Sequence, residues 1–501
     1  MAKEIELKLS LPQQAQAALL RQPLLASAIA KRSQQLSNLY YDTPTLTLRR
    51  RGIALRLRKQ GRIWLQTVKC AGDSAAGLSS RPEWETPYAG RFDFSTLDDP
   101  RVRRQLERPA LAKRLQPLFE TSFRRTTWRF EPAPGCVVHL MLDRGWVFAA
   151  GRREPISEVE IELESGEVDQ IFKLAMGLAE RLPLLPQALS KAERGYRLYQ
   201  NLRPAPAKAL PLPLDAKAAP LVAFHQIAVS CLEQQSRNLE GAQSSDDPEY
   251  IHQARVATRR LRAAMRLFGP LLPSGFAGEL LQPLRQLMDK LGQARDLDVL
   301  LADIALPVQR SLPKEPRLAL LVDAVAQRQR AARQEARRQA TAPAYARLML
   351  LAIAALHRPP FNAALAGTSI RAFAAVRLQR LRKKVLALAA VARQDDPAAL
   401  HRLRIAVKRL RYALEFFSTL CAAKAVARLL RRLGALQEEL GQLNDLANAG
   451  PLLERCADDD PRLREAIALV GGWHAARHRQ LLARIPWRLR RLRRLRLPIL
   501  L

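Results

Sequence analysis

The chain has 501 residues, a length that accommodates two to four domains, each able to bury its own core. Its 82 Lys plus Arg outnumber 47 Asp plus Glu, and the formal charge of +35 points to polyanionic partners. Five cysteines with no C-x-x-C pair argue against a disulfide scaffold and for a reducing compartment, and the longest plain apolar run, Leu348 to Leu356, is too short to span a bilayer.

The N-terminus enters a charged strand at once, which leaves no room for a signal peptide and places the protein in solution in the cytoplasm. In Glu4-Ile5-Glu6-Leu7-Lys8 three charged side chains fall at every second position, so a β-strand would point all three to one face. Such a row also suits a solvated edge strand. Glu158-Val159-Glu160-Ile161-Glu162-Leu163-Glu164 repeats the pattern with four carboxylates on one face, which requires cations opposite. Between them lie basic strands of the same period: Leu55-Arg56-Leu57-Arg58-Lys59, Trp64 to Lys69, and Ser122 to Arg129. Acidic and basic strands converging inside a closed sheet would form a tunnel for a metal-bound polyanion, with carboxylates as hard ligands and Lys or Arg against phosphate oxygens.

These residues resemble the CYTH domains of the triphosphate tunnel metalloenzyme family. The match runs through Glu4, Glu6 and Lys8, Tyr40-Tyr41-Asp42-Thr43-Pro44, Leu55-Arg56-Leu57-Arg58, Lys69, Asp143, the late acidic strand, and Leu189-Ser190-Lys191-Ala192-Glu193-Arg194-Gly195-Tyr196. The resemblance implies an eight-stranded antiparallel tunnel that hydrolyses inorganic triphosphate with Mg²⁺ or Mn²⁺. It further implies that Lys8, Arg56, Arg58, Lys69, Arg125, Lys191 and Arg194 grip the phosphates. Glu4, Glu6, Asp143, Glu158, Glu160 and Glu162 would hold one or two metal ions. Which carboxylate activates water stays open.

After Leu202 the composition changes. Residues 203–220 are rich in Pro and Ala and read as an extended, semi-rigid spacer between a tunnel domain at 1–202 and a helical domain at 221–486. The basic excess is +10 through Leu202 and +25 beyond it, so the second part is the stronger polyanion magnet. It carries an internal repeat: His252 to Arg262 aligns with His401 to Arg411, and Leu291 to Asp296 with Leu440 to Asp445, both at an offset of 149 residues. On helices, His252, Arg255, Arg259 and Arg262 form one stripe, and His401, Arg404, Lys408 and Arg411 its equivalent. This resembles the CHAD domain and implies an all-α bundle of two pseudo-symmetric halves that binds long-chain polyphosphate, with polyphosphate granules as a place of association. The whole reads as a multidomain α+β protein. Asp296 and Asp445 are read as orienting the basic groups or capping helices.

Within the basic tail at 487–501, Arg488 to Arg496 is an amphipathic helix candidate that could dock on the bundle, polyphosphate or an acidic surface. No G-x-x-x-x-G-K-[ST], H-E-x-x-H or G-x-S-x-G is present, and His139 and His225 read as structural. Two other readings stay open: an adenylate cyclase or a nucleoside or thiamine triphosphatase on the same tunnel, and a non-enzymatic polyanion binder. Nucleic acid is not expected, since aromatics are 6% and are not interleaved with the basic stripes. The sequence leaves the oligomeric state open.

Overall fold

The protein is described from a computed structural model covering residues 3–75, 77–187, 189–273, 275–340, 342–357, 367–393, 396–458 and 460–500, without the side chains of 3, 4, 73–75, 243, 244 and 277. The chain forms two compact units: one is Met1–Pro206 with Thr341–Arg358, the other Ala207–Ala340 with Pro359–Leu501.

The first unit is built on strands β1 (Lys3–Ser10), β2 (Ala30–Asp42), β3 (Ile53–Gln60), β4 (Ile63–Cys70), β5 (Asp73–Ala75), β6 (Leu78–Pro87), β7 (Gln116–Ala133), β8 (Cys136–Ala149), β9 (Arg152–Ser165) and β10 (Leu185–Pro186). Eight of them pair antiparallel in the ring order β1-β9-β8-β7-β2-β3-β4-β6, and β6 pairs back onto β1 to close the barrel. The closed sheet reverses the usual polarity. Leu7, Leu9, Val159 and Ile161, which alternate with the charged residues, are fully buried beneath elements packed on the outside. One of these is the helix Asp169–Ala179, which packs on β9 and is itself covered by the helix Pro343–His357. The latter lies within the stretch that periodicity assigns to the helical domain. Its residues Leu348, Met349, Leu350 and Ile353 are buried within the barrel unit instead.

The second unit shows the duplication at full length. The helices Pro220–Ser244, Pro248–Phe268, Phe276–Val299 and Pro316–Ala340 recur as Ile370–Val391, Pro397–Phe416, Ala423–Ala457 and Pro461–Arg493, close to the 149-residue offset. Even the one-turn Gly269–Leu271 has its counterpart in Ser418–Leu420. Both His-bearing helices begin on an Asp–Pro pair, Asp247 and Asp396 accepting backbone N–H bonds as N-caps and proline occupying the first turn. The Pro/Ala-rich stretch is no free spacer beyond Pro206: Asn238 Oδ1 accepts from the Ala207 N–H and its amide donates to the Ala207 carbonyl, both at 2.9 Å, while Thr419 Oγ1 donates to Leu212 O at 2.6 Å. Likewise the helix does not end at Pro486 but runs through it to Arg493, because Ile485, Leu489 and Leu492 continue its buried face. Among the described residues no single helix is long and apolar enough to cross a membrane.

Candidate functional site

Register places the charges of the barrel. In β1 and β9, Glu6 stands opposite Glu162, and Lys8 opposite Glu160. Asp143 of β8 stands between Glu158 of β9 and Arg125 of β7. In an eight-membered ring β3 and β4 lie four strands from β9 and β8, so the Arg56, Arg58 and Lys69 wall faces the acidic wall across the cavity. The cavity measures about 540 Å³ and is lined by Glu6, Lys8, Arg56, Arg58, Lys69, Arg125, Glu160, Glu162 and Lys191 among others.

Side chains on the acidic wall converge on one point. Carboxylate oxygens of Asp143, Glu158 and Glu160 lie within 4.8 Å of one another, and all three residues are buried. Lys191, from the helix Lys191–Tyr199, reaches them with its ammonium: 2.6 Å to Asp143 Oδ2, 3.1 Å to Glu160 Oε1, and a hydrogen bond to Glu158 Oε1. Arg125 makes a fork to Asp143 at 2.8 and 2.7 Å and donates also to Glu160. Lys8 is 2.6 Å from Glu6 and 3.6 Å from Glu160. Burial by itself would raise the Glu160 pKa, but Lys191, Arg125 and Lys8 together hold it well below the usual carboxylate range. Burial lowers the Lys191 pKa, and Asp143, Glu158 and Glu160 more than restore it, leaving it raised. Three hard oxygen donors already gathered around a cation match what a divalent ion needs, so the donor set fits a metal.

The basic wall pairs instead with carboxylates of β6. Arg56 lies 3.3 Å from Glu83, Arg58 3.4 Å from Glu85, and Lys69 2.5 Å from Glu83. Arg58, held at 3.0 Å from Asn38 Oδ1, has its pKa pushed down to about 10 by burial and by Arg56. Arg194 sits at the margin, bonded to Glu154 and Glu158. The helix carrying Lys191 and Arg194 is set in place by Asp42, whose carboxylate accepts from the backbone N–H groups of Thr43, Leu48 and Arg49 and from the Tyr196 hydroxyl.

Every expected phosphate-gripping residue therefore borders or adjoins the cavity, as do Glu6, Asp143, Glu158, Glu160 and Glu162; the Glu4 side chain lies outside the described residues. Glu164, on the same strand face, leaves the cavity and pairs with His139 at the exposed end. Sequence reasoning passed over Arg81, Glu83 and Glu85 of β6 and Ser79, although Arg81-Pro82-Glu83-Trp84-Glu85 shows the same period-two alternation. Arg81 and Ser79 donate to Glu6, at 2.5 and 3.1 Å.

In the helical unit the two His-bearing helices pack against each other. Lys408 has its pKa pushed down to about 7, first by burial and then by Arg259, Arg404, Arg255 and Arg411, two of them from the other helix. Burial and the nearby Arg295 push His252 down to about 4. Arg255 Nη1, Arg259 Nε, Arg262 Nε, Arg404 Nε and Arg411 Nε are buried donors without a hydrogen-bond acceptor. Cations from both repeats thus crowd together with unused donors, the electrostatics of an anion site. Asp296 comes only to 3.9 Å of Arg255, while His401 meets Asn444 Oδ1 at 3.0 Å.

A charged-interior barrel followed by a duplicated helical bundle defines a two-domain class of protein. The chain belongs to the CYTH and CHAD domain families, with the CYTH domain matching residues 2–196 and the CHAD domain residues 226–454. Over 199 residues it is 32% identical to an inorganic triphosphatase of Haemophilus influenzae, covering 40% of this chain and 55% of that relative. It thus spans about half the length of that protein. The CHAD domain of Ricinus communis is 38% identical, with a TM-score of 0.54, 59% of this chain and 99% of that one being covered. A putative adenylyl cyclase from Hippeastrum, described as having dominant triphosphatase activity, is 20% identical with a TM-score of 0.28, over 38% of this chain and 95% of that one.

Proposed function

We propose that the barrel hydrolyses inorganic triphosphate to pyrophosphate and phosphate, and that the helical unit binds inorganic polyphosphate. The observation that carries the first part is the pair of facing walls, guanidinium and ammonium groups on β3 and β4 against the Asp143, Glu158 and Glu160 cluster on β8 and β9. A triphosphate gripped by Arg56, Arg58 and Lys69 on one side presents its remaining oxygens to the acidic wall, where direct contact would be repulsive without a cation between them. Asp143, Glu158 and Glu160, with Glu6 and Glu162 adjoining, would hold Mg²⁺ or Mn²⁺ there. Such an ion supplies charge neutralisation of the phosphoryl oxygens and an acidified water.

The chain's own residues do the rest. Arg125, Lys8 and Lys191 sit between the two walls and neutralise charge on the leaving pyrophosphate. Arg194 and the Asp42–Tyr196 contact hold the helix Lys191–Tyr199 at the cavity. Inorganic triphosphate is favoured over nucleotides because the aromatic rings at the cavity, Tyr40, Phe123 and Tyr196, are at most 4% exposed. Phe123 already faces Lys191 and Arg125, so no free ring is offered to a base. The deciding experiment measures phosphate release from triphosphate, ATP and thiamine triphosphate with Mg²⁺, with Mn²⁺ and with chelator. Preference for triphosphate, lost with chelator, supports the reading; undiminished turnover without metal overturns it.

The polyphosphate reading rests on the crowded cations of Arg255, Arg259, Arg404 and Lys408, whose mutual repulsion a polyanion relieves. Charge reversal at Arg255 and Arg259 should weaken binding of long-chain polyphosphate more than reversal at Arg333 and Arg337, which already pair with Asp298 and Asp246. Equal losses would reduce the interaction to diffuse charge.

A further inference from the structure

The basic segment at the C-terminal end is built into the bundle rather than trailing from it. Leu489, Leu492 and Leu495 are buried, Arg382 Nε donates to the Leu495 carbonyl at 2.8 Å, and Leu500 forms a bridge with Cys421. Docked in this way, the segment closes a groove of about 330 Å³ against the helix Ala423–Ala457. Its walls carry six arginines: Arg428 and Arg432 from one helix, and Arg488, Arg491, Arg494 and Arg496 from the other side. No acidic residue lines it. Arg488 alone is paired, by a fork to Glu439 at 2.8 and 2.7 Å, which fixes the wall in position. Arg428, Arg432, Arg491, Arg494 and Arg496 have no carboxylate partner among the described residues.

Five exposed guanidinium groups without carboxylate partners, gathered around one concavity, raise the local positive potential and favour a polyanion there. The leucines of the floor, such as Leu433, Leu436, Leu492 and Leu495, are already 0 to 6% exposed, so little apolar surface remains to reward a lipid chain or an apolar helix face. Trp487, the aromatic beside the groove, carries Arg488 and Arg491 stacked at 4.8 and 4.6 Å, which occupies the ring a nucleobase would need. What remains accessible is a row of bidentate donors, suited to successive phosphates of a chain without bases.

We propose that this groove is a second polyanion site, taking inorganic polyphosphate through Arg428, Arg432, Arg491, Arg494 and Arg496. It shares no residue with the His252 and His401 helices. The inference extends the polyphosphate reading of the helical unit but can stand or fall separately.

The test titrates labelled polyphosphate against the full chain carrying R428Q/R432Q/R491Q, alone and combined with R255E/R259E. A control carries R310Q/R330Q/R464Q, three exposed arginines elsewhere with the same change in charge. The groove variant should bind about tenfold more weakly, and the slope of log affinity against log salt should fall by about two, since each lost contact removes roughly 0.7 to 0.9. The control should change less than twofold, and the further loss should persist in the R255E/R259E background. Equal effects of groove and control variants overturn the site and leave the His-helix reading intact; loss in the groove variant with none in R255E/R259E does the reverse. Arginine modification by phenylglyoxal, mapped on the unmutated chain, gives a readout independent of variant folding. Polyphosphate should protect Arg428, Arg432 and Arg491, and absence of protection overturns the proposal. Equal protection by single-stranded DNA at matched phosphate concentration would overturn the choice of ligand.

Discussion

Glu160 receives Arg125 and Lys191 and lies near Lys8, so its buried carboxylate balances three cations at once. Glu160→Gln keeps the shape and removes the charge. Breaking a buried pair in this way costs about 3–5 kcal/mol of stability. Triphosphate turnover should fall at least about 100-fold, as expected when a charged group acting on the transition state is lost. Glu164→Gln, four residues on and paired with His139 at the exposed end, should leave turnover within about twofold, the usual scale of an exposed pair. Steady-state rates and thermal melts of both variants check this contrast, and equal losses would refute the assignment of the inner wall. In the helical unit the informative residue is Lys408. Arg259 and Arg255 face it from the partner helix and Arg404 and Arg411 from its own, and its folded pKa of about 7 lies below the unfolded value. Between that pKa and the unfolded one the unfolded chain holds the extra proton, so free-protein stability rises with pH across this window. A bound polyanion returns the proton to Lys408. Polyphosphate affinity should therefore fall as pH rises above 7, by up to about tenfold per unit. Calorimetry in buffers of different ionisation enthalpy should show proton uptake at pH 8 that disappears in Lys408→Met.

At the scale of elements, the helix Lys191–Tyr199 has one position that admits no side-chain bulk. Gly195 lies against Phe119, and a Cβ there would overlap the ring. Phe119 is wedged between Tyr40, stacked at 4.5 Å, and Tyr196, edge-on at 4.9 Å, so it has no room to yield. Gly195→Ala should shift the helix and withdraw Lys191 and Arg194 together, losing about 1–3 kcal/mol to overpacking and most of the turnover. A folded variant with wild-type rates would show that the helix does not position the site. The repeated glycines of the bundle behave differently. A Cβ at Gly292 would stand 2.9 Å from Arg255 Nη1, the far end of a flexible side chain, whereas at Gly441 the nearest Arg404 atoms are 4.0 Å away. Gly292→Ala should therefore displace Arg255 and weaken polyphosphate binding with little change in melting temperature, while Gly441→Ala should change neither. Comparing binding isotherms of the two variants tests whether the halves have diverged.

At the scale of the molecule, the barrel unit recruits residues far along the chain. Phe172 stacks against His357 with centroids 6.1 Å apart, and Met349, Leu350 and Ile353 are at most 1% exposed. Residues 1–206 expressed alone would uncover this surface, at about 1.5–3 kcal/mol for each large apolar side chain left in water. The fragment should melt well below a version in which 343–357 is appended by a flexible linker, and the appended version should keep triphosphate turnover. Equal melting temperatures would show the helix to be dispensable.

Much of the barrel was legible because a β-strand expresses its environment locally: alternation at Glu4 to Lys8, Leu55 to Lys59 and Glu158 to Glu164 reports a charged face and an apolar one wherever the strand is placed. The 149-residue repeat was equally local, since it needs only two stretches of the same chain to agree. Tertiary structure alone decided that Glu164 leaves the cavity that Glu160 lines, because barrel height sets where a strand face meets solvent. It also decided that Lys408 and Arg259, 149 residues apart, share one electrostatic field, that the helix Pro343–His357 completes the barrel unit, and that the terminal arginines wall a groove. Periodicity announces that a face is buried; the partner that buries it is fixed by packing between segments remote in sequence, where burial and charge repulsion act through space.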